Sequence, residues 1–161
     1  IYLPRSQTQS VSASAAAVRE AGRQRAGAHV LLVDDDNAVR EVTAAMLRSL
    51  GYVVSEGGSG GAALEMLDSI EDIALVMVDF AMPGMNGAEL ARQGQARRPR
   101  LPVLFITGFA ERLTLGGITD DQIVGKPFTE QELAQKVRAA LNGSPAENVV
   151  PFGPPQRVFS R

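Results

Sequence analysis

Val30-Leu31-Leu32-Val33-Asp34-Asp35-Asp36 is the run that decides how the rest of the chain reads. Its apolar part has no polar break, which suits a strand covered on both faces, as in a parallel sheet. Acids follow directly at its carboxyl end. Outward from there, Val53 with Val54, Ile73 to Val78 and Val103 to Ile106 repeat the pattern, and Gln122 to Val124 is a weaker fifth run. Helical periods fill the gaps. Val39, Val42, Met46 and Leu50 recur at helical spacing, and Gly51 closes that helix. Ala63, Leu64 and Leu67 mark a second helix, and Leu90 with its alanine neighbours a third. Thr129 and Glu132 form a capping box for the last, whose buried stripe is Leu133, Val137 and Leu141. Strands and helices in alternation predict an α/β fold: a doubly wound, five-stranded parallel sheet with helices on both faces.

Bulk properties narrow the function. The chain has 161 residues, is 45% hydrophobic and carries a net charge of -2. That is enough apolar content for one core, and no basic face is implied, so a nucleic-acid partner is not expected. There is no cysteine, which excludes disulfides and thiolate metal sites and fits a cytoplasmic setting. No apolar run could span a bilayer, so no membrane contact is expected of this segment.

In doubly wound sheets, ligands bind beyond the carboxyl ends of the strands. Asp34, Asp35 and Asp36 follow the first strand, Asp79 ends the third, Thr107 the fourth, and Lys126 follows the fifth. Clustered carboxylates repel one another unless a cation is present, and oxygen ligands without His or Cys favour Mg²⁺. Such a site suits phosphoryl chemistry, where positioning and charge neutralisation do most of the catalysis. Asp79, central on the rim, is the natural nucleophile. Lys126 and the Thr107 hydroxyl can each serve a phosphoryl oxygen, and Gly108 leaves space for the group. Each residue alone has an ordinary reading: Asp36 or Asn37 as a helix cap, Lys126 as a solvated amine, Thr107 as a backbone partner. The run Gly57-Gly58-Ser59-Gly60-Gly61 departs from G-x-G-x-x-G and reads as a flexible turn off the acidic rim. His29, the one histidine, is expected at the surface just ahead of the first strand.

Over roughly Ala28 to Leu141 the sequence resembles the receiver domains of response regulators in bacterial two-component signalling. Val30 to Asp36 looks like the family's first strand and acidic pair, and Asp79-Phe80-Ala81-Met82-Pro83-Gly84-Met85-Asn86-Gly87 like its phosphorylation loop. Thr107-Gly108 and Lys126-Pro127-Phe128 match the remaining motifs in order. The resemblance implies the flavodoxin-like strand order 2-1-3-4-5, phosphorylation of Asp79 and a phosphohistidine donor. It also implies Mg²⁺ ligated by Asp35, Asp79 and the Ala81 carbonyl, with Asp34 acting through water. Thr107 and Lys126 are expected to bind phosphoryl oxygens. Three features depart from the family. Ile123 replaces the usual aromatic three residues before the lysine. The stretch from Phe109 to Gly125 is short and contains Gly116-Gly117, which predicts a shortened fourth helix. Ala81 and Phe109 are both apolar where the family tunes hydrolysis, which predicts a long-lived phosphoaspartate.

The flanks suggest a setting. Ile1-Tyr2-Leu3-Pro4-Arg5 resembles the last strand of a histidine kinase ATP-binding domain, and a Ser-, Ala- and Gln-rich linker follows. The expected organisation is a kinase end and linker over 1–27, a receiver over 28–143 and an irregular proline-rich tail over 144–161. A chain that starts at Ile1 is expected to be a fragment, here the carboxy-terminal receiver of a hybrid sensor histidine kinase. Its partners would be the kinase core or a histidine phosphotransfer domain. A stand-alone response regulator is the alternative. A Mg²⁺-dependent phosphatase that works through an aspartyl-phosphate is a third reading, but Ala81 stands where such an enzyme needs a second acid, and no insertion could form a substrate cap.

Overall fold

The computed structural model describes residues 27–143 apart from 109 and 112–115. Residues 1–26 of the expected kinase end and linker, the expected proline-rich tail and Phe109 therefore lie outside the described residues. Five strands, β1 His29–Val33, β2 Val53–Gly57, β3 Ile73–Asp79, β4 Val103–Thr107 and β5 Ile123–Gly125, form one sheet in the order β2-β1-β3-β4-β5. All neighbours pair in parallel. The helices are α1 Asn37–Ser49, α2 Gly60–Ser69, α3 Gly87–Arg97 and α4 Glu130–Asn142. This is the doubly wound order expected.

The unbroken apolar strands are explained by two cores. Along β1, Leu31 and Val33 join one core with Ala63, Leu64 and Leu67 of α2 and Leu90 and Ala91 of α3. Val30 and Leu32 point the other way, to Ala44 and Leu47 of α1 and Leu133 and Val137 of α4. A strand that feeds both faces has no position left for a polar residue until it ends. Each fully buried Leu or Val contributes about 1.5–3 kcal/mol over leaving it exposed.

Helix α1 differs from the sequence expectation in phase. Its buried residues are Thr43, Ala44 and Leu47, while Val42 is 57% exposed. Asp36 caps the helix by accepting from the amides of Ala38 and Val39. The Arg40 guanidinium is drawn inward by the Asp34 carbonyl at 2.7 Å and by Glu56 at 3.6 Å. With Arg40 on the sheet side, the stripe one helical turn on follows it, and Val42 is turned out. At the helix's far end Arg48 reaches the edge strand β2, donating to the Val54 carbonyl at 3.2 Å and to Glu56 at 2.8 Å. His29 also differs: it is the first residue of β1, its side chain is 11% exposed, and it bonds Asp72 at 2.9 Å and Ser55 at 2.8 Å.

Between β4 and β5 no α-helix occurs among the described residues; a 3-10 turn at Asp120–Gln122 leads into β5. The fifth strand therefore starts one residue later than its sequence suggested. In α4 the capping box is complete: the Glu132 amide donates to Thr129 Oγ1 at 3.2 Å, and the Thr129 amide to Glu132 Oε2 at 2.7 Å. Thr129→Ala is expected to cost about 1 kcal/mol of stability. Urea unfolding measures this, and an unchanged midpoint would show that the cap contributes nothing.

Candidate functional site

The sheet order reverses beside β1, because the chain runs out to β2 and returns past β1 to β3. The crevice this leaves lies beyond the carboxyl ends of β1 and β3. Asp34 and Asp35 stand immediately after β1, and Asp79 is the last residue of β3. One carboxylate oxygen from each of the three lies within 4.8 Å of the other two. Asp34 is 1% exposed and Asp79 7%, whereas Asp35 is exposed and opens the group to solvent.

Backbone bonds fix this arrangement. The Asp34 amide donates to the Gly57 carbonyl at 3.2 Å, the Phe80 amide to Ile106 at 2.9 Å, and the Lys126 amide to Thr107 at 2.8 Å. Asp34 Oδ1 accepts from the Asp36 amide at 2.9 Å. Gly87 closes the loop after Asp79: its amide bonds the Phe80 carbonyl at 3.1 Å, and a Cβ there would stand 2.7 Å from the Asp79 carbonyl oxygen. Only glycine fits so close to that backbone.

Lys126, which precedes a cis proline bond, places its Nζ 3.4 Å from Asp34 Oδ2 and 3.4 Å from Asp79 Oδ1. Burial pushes the Asp79 carboxyl above its ordinary value, and Asp34 adds to this; Lys126 and the Ala81 backbone work against it without prevailing. For Lys126, burial disfavours the charged form, but the carboxylates of Asp34 and Asp79 outweigh that and hold the amine above its usual value. One ammonium thus touches two members of a cluster of three carboxylates, which leaves a surplus of negative charge that a hard dication fits. The donor set is all oxygen, without His or Cys, which is the chemistry Mg²⁺ takes.

The structure brings Asp34, Asp35, Asp79 and Lys126 together. Ala81, two residues beyond Asp79, is exposed, and its backbone helps draw the Asp79 carboxyl down against burial. Thr107, fully buried at the end of β4, turns its hydroxyl to the Gly108 carbonyl at 2.9 Å and to Glu111 Oε2 at 3.2 Å. Sequence reasoning missed three contributors. Arg40 holds the Asp34 backbone, and its sequence signal is an arginine one turn inside α1. The Gly57 carbonyl ties the glycine run to the rim, so that run is not off the site: Gly57 ends β2 and Ser59 caps α2. Met85 packs so closely that a Cβ at Gly60 would stand 2.7 Å from its Sδ. With Arg40 and the Gly57 carbonyl, the third missed contributor is Glu111, four residues past Thr107.

Comparison with known proteins agrees with this fold. The family model described as the response regulator receiver domain matches residues 30–138. The chain is 33% identical over 151 residues to the sensor kinase CckA of Brucella abortus (strain 2308), a match covering 88% of this chain and 16% of that protein. It is 34% identical to the response regulator receiver protein CpdR of the same strain, covering 70% of this chain and 95% of CpdR. The chain thus spans nearly all of one curated relative and about a sixth of the other. Among solved structures, the receiver domain from the hybrid histidine kinase CckA superposes with a TM-score of 0.59 at 33% identity, covering 70% of this chain and 98% of that one.

Proposed function

Since the chain belongs to the response regulator receiver domain family of two-component systems, we propose that Asp79 accepts a phosphoryl group from a phosphohistidine. The carrying observation is the gathering of Asp34, Asp35 and Asp79 within 4.8 Å beside a single lysine. In the transfer a carboxylate oxygen of Asp79 bonds to phosphorus as the phosphorus–nitrogen bond to the donor imidazole breaks. The imidazole nitrogen keeps the electron pair. Asp35, Asp79 and the Ala81 carbonyl would hold Mg²⁺, with Asp34 acting through water, and the bound ion would supply charge neutralisation at the phosphoryl oxygens. Lys126 moves its ammonium from the bare carboxylates to a phosphoryl oxygen, and Thr107 turns its hydroxyl to another.

We read the chain as the receiver of a hybrid histidine kinase, with the kinase core or a histidine phosphotransfer domain as partner. Support comes from the CckA match, which covers 88% of the chain and so must take in sequence outside the described domain. The CpdR match keeps a stand-alone regulator as the second reading. Among the described residues no helix is long and apolar enough to cross a membrane. Ala81 is exposed and carries no polar side chain to hold an attacking water, so the phosphoaspartate should persist well beyond seconds.

Incubation with acetyl phosphate tests the reading. With Mg²⁺ the chain should gain one acid-stable, hydroxylamine-sensitive phosphoryl group, and without divalent cation almost none. Equal labelling in EDTA would count against the acidic site as a metal centre.

A further inference from the structure

We propose that Glu111 is a positioning residue for this acceptor chemistry: in the resting chain its carboxylate holds the Thr107 hydroxyl and the Gly108 amide, and it has to release them before either can serve a phosphoryl group on Asp79. This rests on the acceptor reading above and concerns a residue that reading does not use.

Thr107 is fully buried, and its hydroxyl has a single hydrogen to give. That hydrogen is shared between the Gly108 carbonyl at 2.9 Å and Glu111 Oε2 at 3.2 Å. The same Oε2 accepts the Gly108 amide at 2.5 Å, a short charge-assisted bond. One carboxylate oxygen therefore collects a hydroxyl and an amide at the end of β4, next to the strand that ends in Asp79. A phosphoryl oxygen on Asp79 asks for the same kind of donors. Carboxylate and phosphoryl oxygen are rivals for them, and both cannot win.

The surroundings fit a latch that opens. A Cβ at Gly108 would stand 3.2 Å from Glu111 Oε2, so glycine leaves the carboxylate its place. The Thr107 carbonyl is committed to the Lys126 amide at 2.8 Å, so the strand end is fixed and the exchange falls to the side chains and the crossover. Among the described residues of that crossover no α-helix occurs, and Glu111 meets Thr107 and Gly108 through its side chain. Whatever binding free energy the latch takes from the phosphoryl group, the phosphoryl group takes from the latch. A resting population mostly latched lowers apparent acceptance by the fraction left open.

The test measures label uptake from subsaturating acetyl phosphate with Mg²⁺ in the full chain, for wild type, Glu111→Ala, Glu111→Asp and Glu111→Gln. Loss of one charge-assisted bond predicts that Glu111→Ala is labelled about fivefold to tenfold faster than wild type. Glu111→Gln keeps a weaker acceptor and should fall between. Glu111→Asp keeps the charge but withdraws the carboxylate by one methylene, so it should behave like alanine. In amide spectra without donor, the Gly108 proton should lie downfield in wild type and move upfield in Glu111→Ala and Glu111→Asp. An aspartate variant that behaves like wild type would assign the effect to charge alone and overturn the latch. So would alanine labelling no faster while wild type is labelled normally, which leaves the acceptor reading standing. A wild type that takes no label defeats the acceptor reading and the latch with it.

Discussion

Asp79→Asn is expected to abolish phosphoryl acceptance, lowering label uptake from acetyl phosphate at least a hundredfold. An amide oxygen is a far poorer nucleophile than a carboxylate, and among the described residues no other carboxylate combines the end of β3 with contact to Lys126. The same substitution should raise the thermal stability of the chain when it is free of metal. Burial holds the Asp79 carboxyl above its ordinary value, with Asp34 adding to the rise. A carboxyl whose folded pKa is raised contributes stability below its unfolded pKa and loses it as pH rises through the folded value. At neutral pH the ionised Asp79 is therefore a burden on the metal-free fold, and asparagine removes it. The gap in melting temperature between variant and wild type should open as pH rises from below 4 to neutrality, roughly across the carboxylate range. Mg²⁺ should narrow it by relieving the crowded charge. Melting curves at several pH values in EDTA decide this; a variant less stable than wild type at neutral pH would refute the electrostatic account. Retained labelling would instead move the acceptor to another acid.

Phe105→Ala is expected to have the largest effect on the fold. Phe105 is fully buried in β4 and, among the described residues, is the bulkiest wholly enclosed side chain. Its ring meets Phe80 edge-on, with centroids 6.3 Å apart at 72°. Truncation leaves a cavity between the sheet and the α2–α3 layer, with a cost of about 3–5 kcal/mol. The aromatic pair itself accounts for roughly 0.5–1.5 kcal/mol of this. Because Phe80 directly follows Asp79, the variant should also loosen the acceptor loop. Urea unfolding gives the first quantity, and amide exchange around Phe80 to Gly87 reports the second. A loss under about 1 kcal/mol would mean the core closes over the gap, contrary to its dense packing.

Much of this was readable from the residues alone. The strand ends could be found because each apolar run stops at a polar residue of distinct type: Asp34, Asp79, Thr107 and, past β5, Lys126. In a sheet covered on both faces that stop is forced, so the rim announces itself. The phase of α1 could not be read so easily. Val39 and Val42 look like core, yet a half-buried ion pair and a backbone carbonyl compete for the same face, and the charged Arg40 takes it. His29 misled for a related reason: a polar ring can be enclosed once Asp72 and Ser55 satisfy both nitrogens. Glu111 and Gly57 act through contacts set by the path of a loop and the end of an edge strand. No periodicity encodes either.

β2 lies at the border of the sheet, where a strand normally offers unpaired main-chain groups to any neighbour able to extend the ladder. Here the arm of Arg48 already occupies the Val54 carbonyl, and its ion pair with Glu56 sets charge along that border. The helix that helps build the core is thus also tied, through Arg48, to the outermost strand on that side.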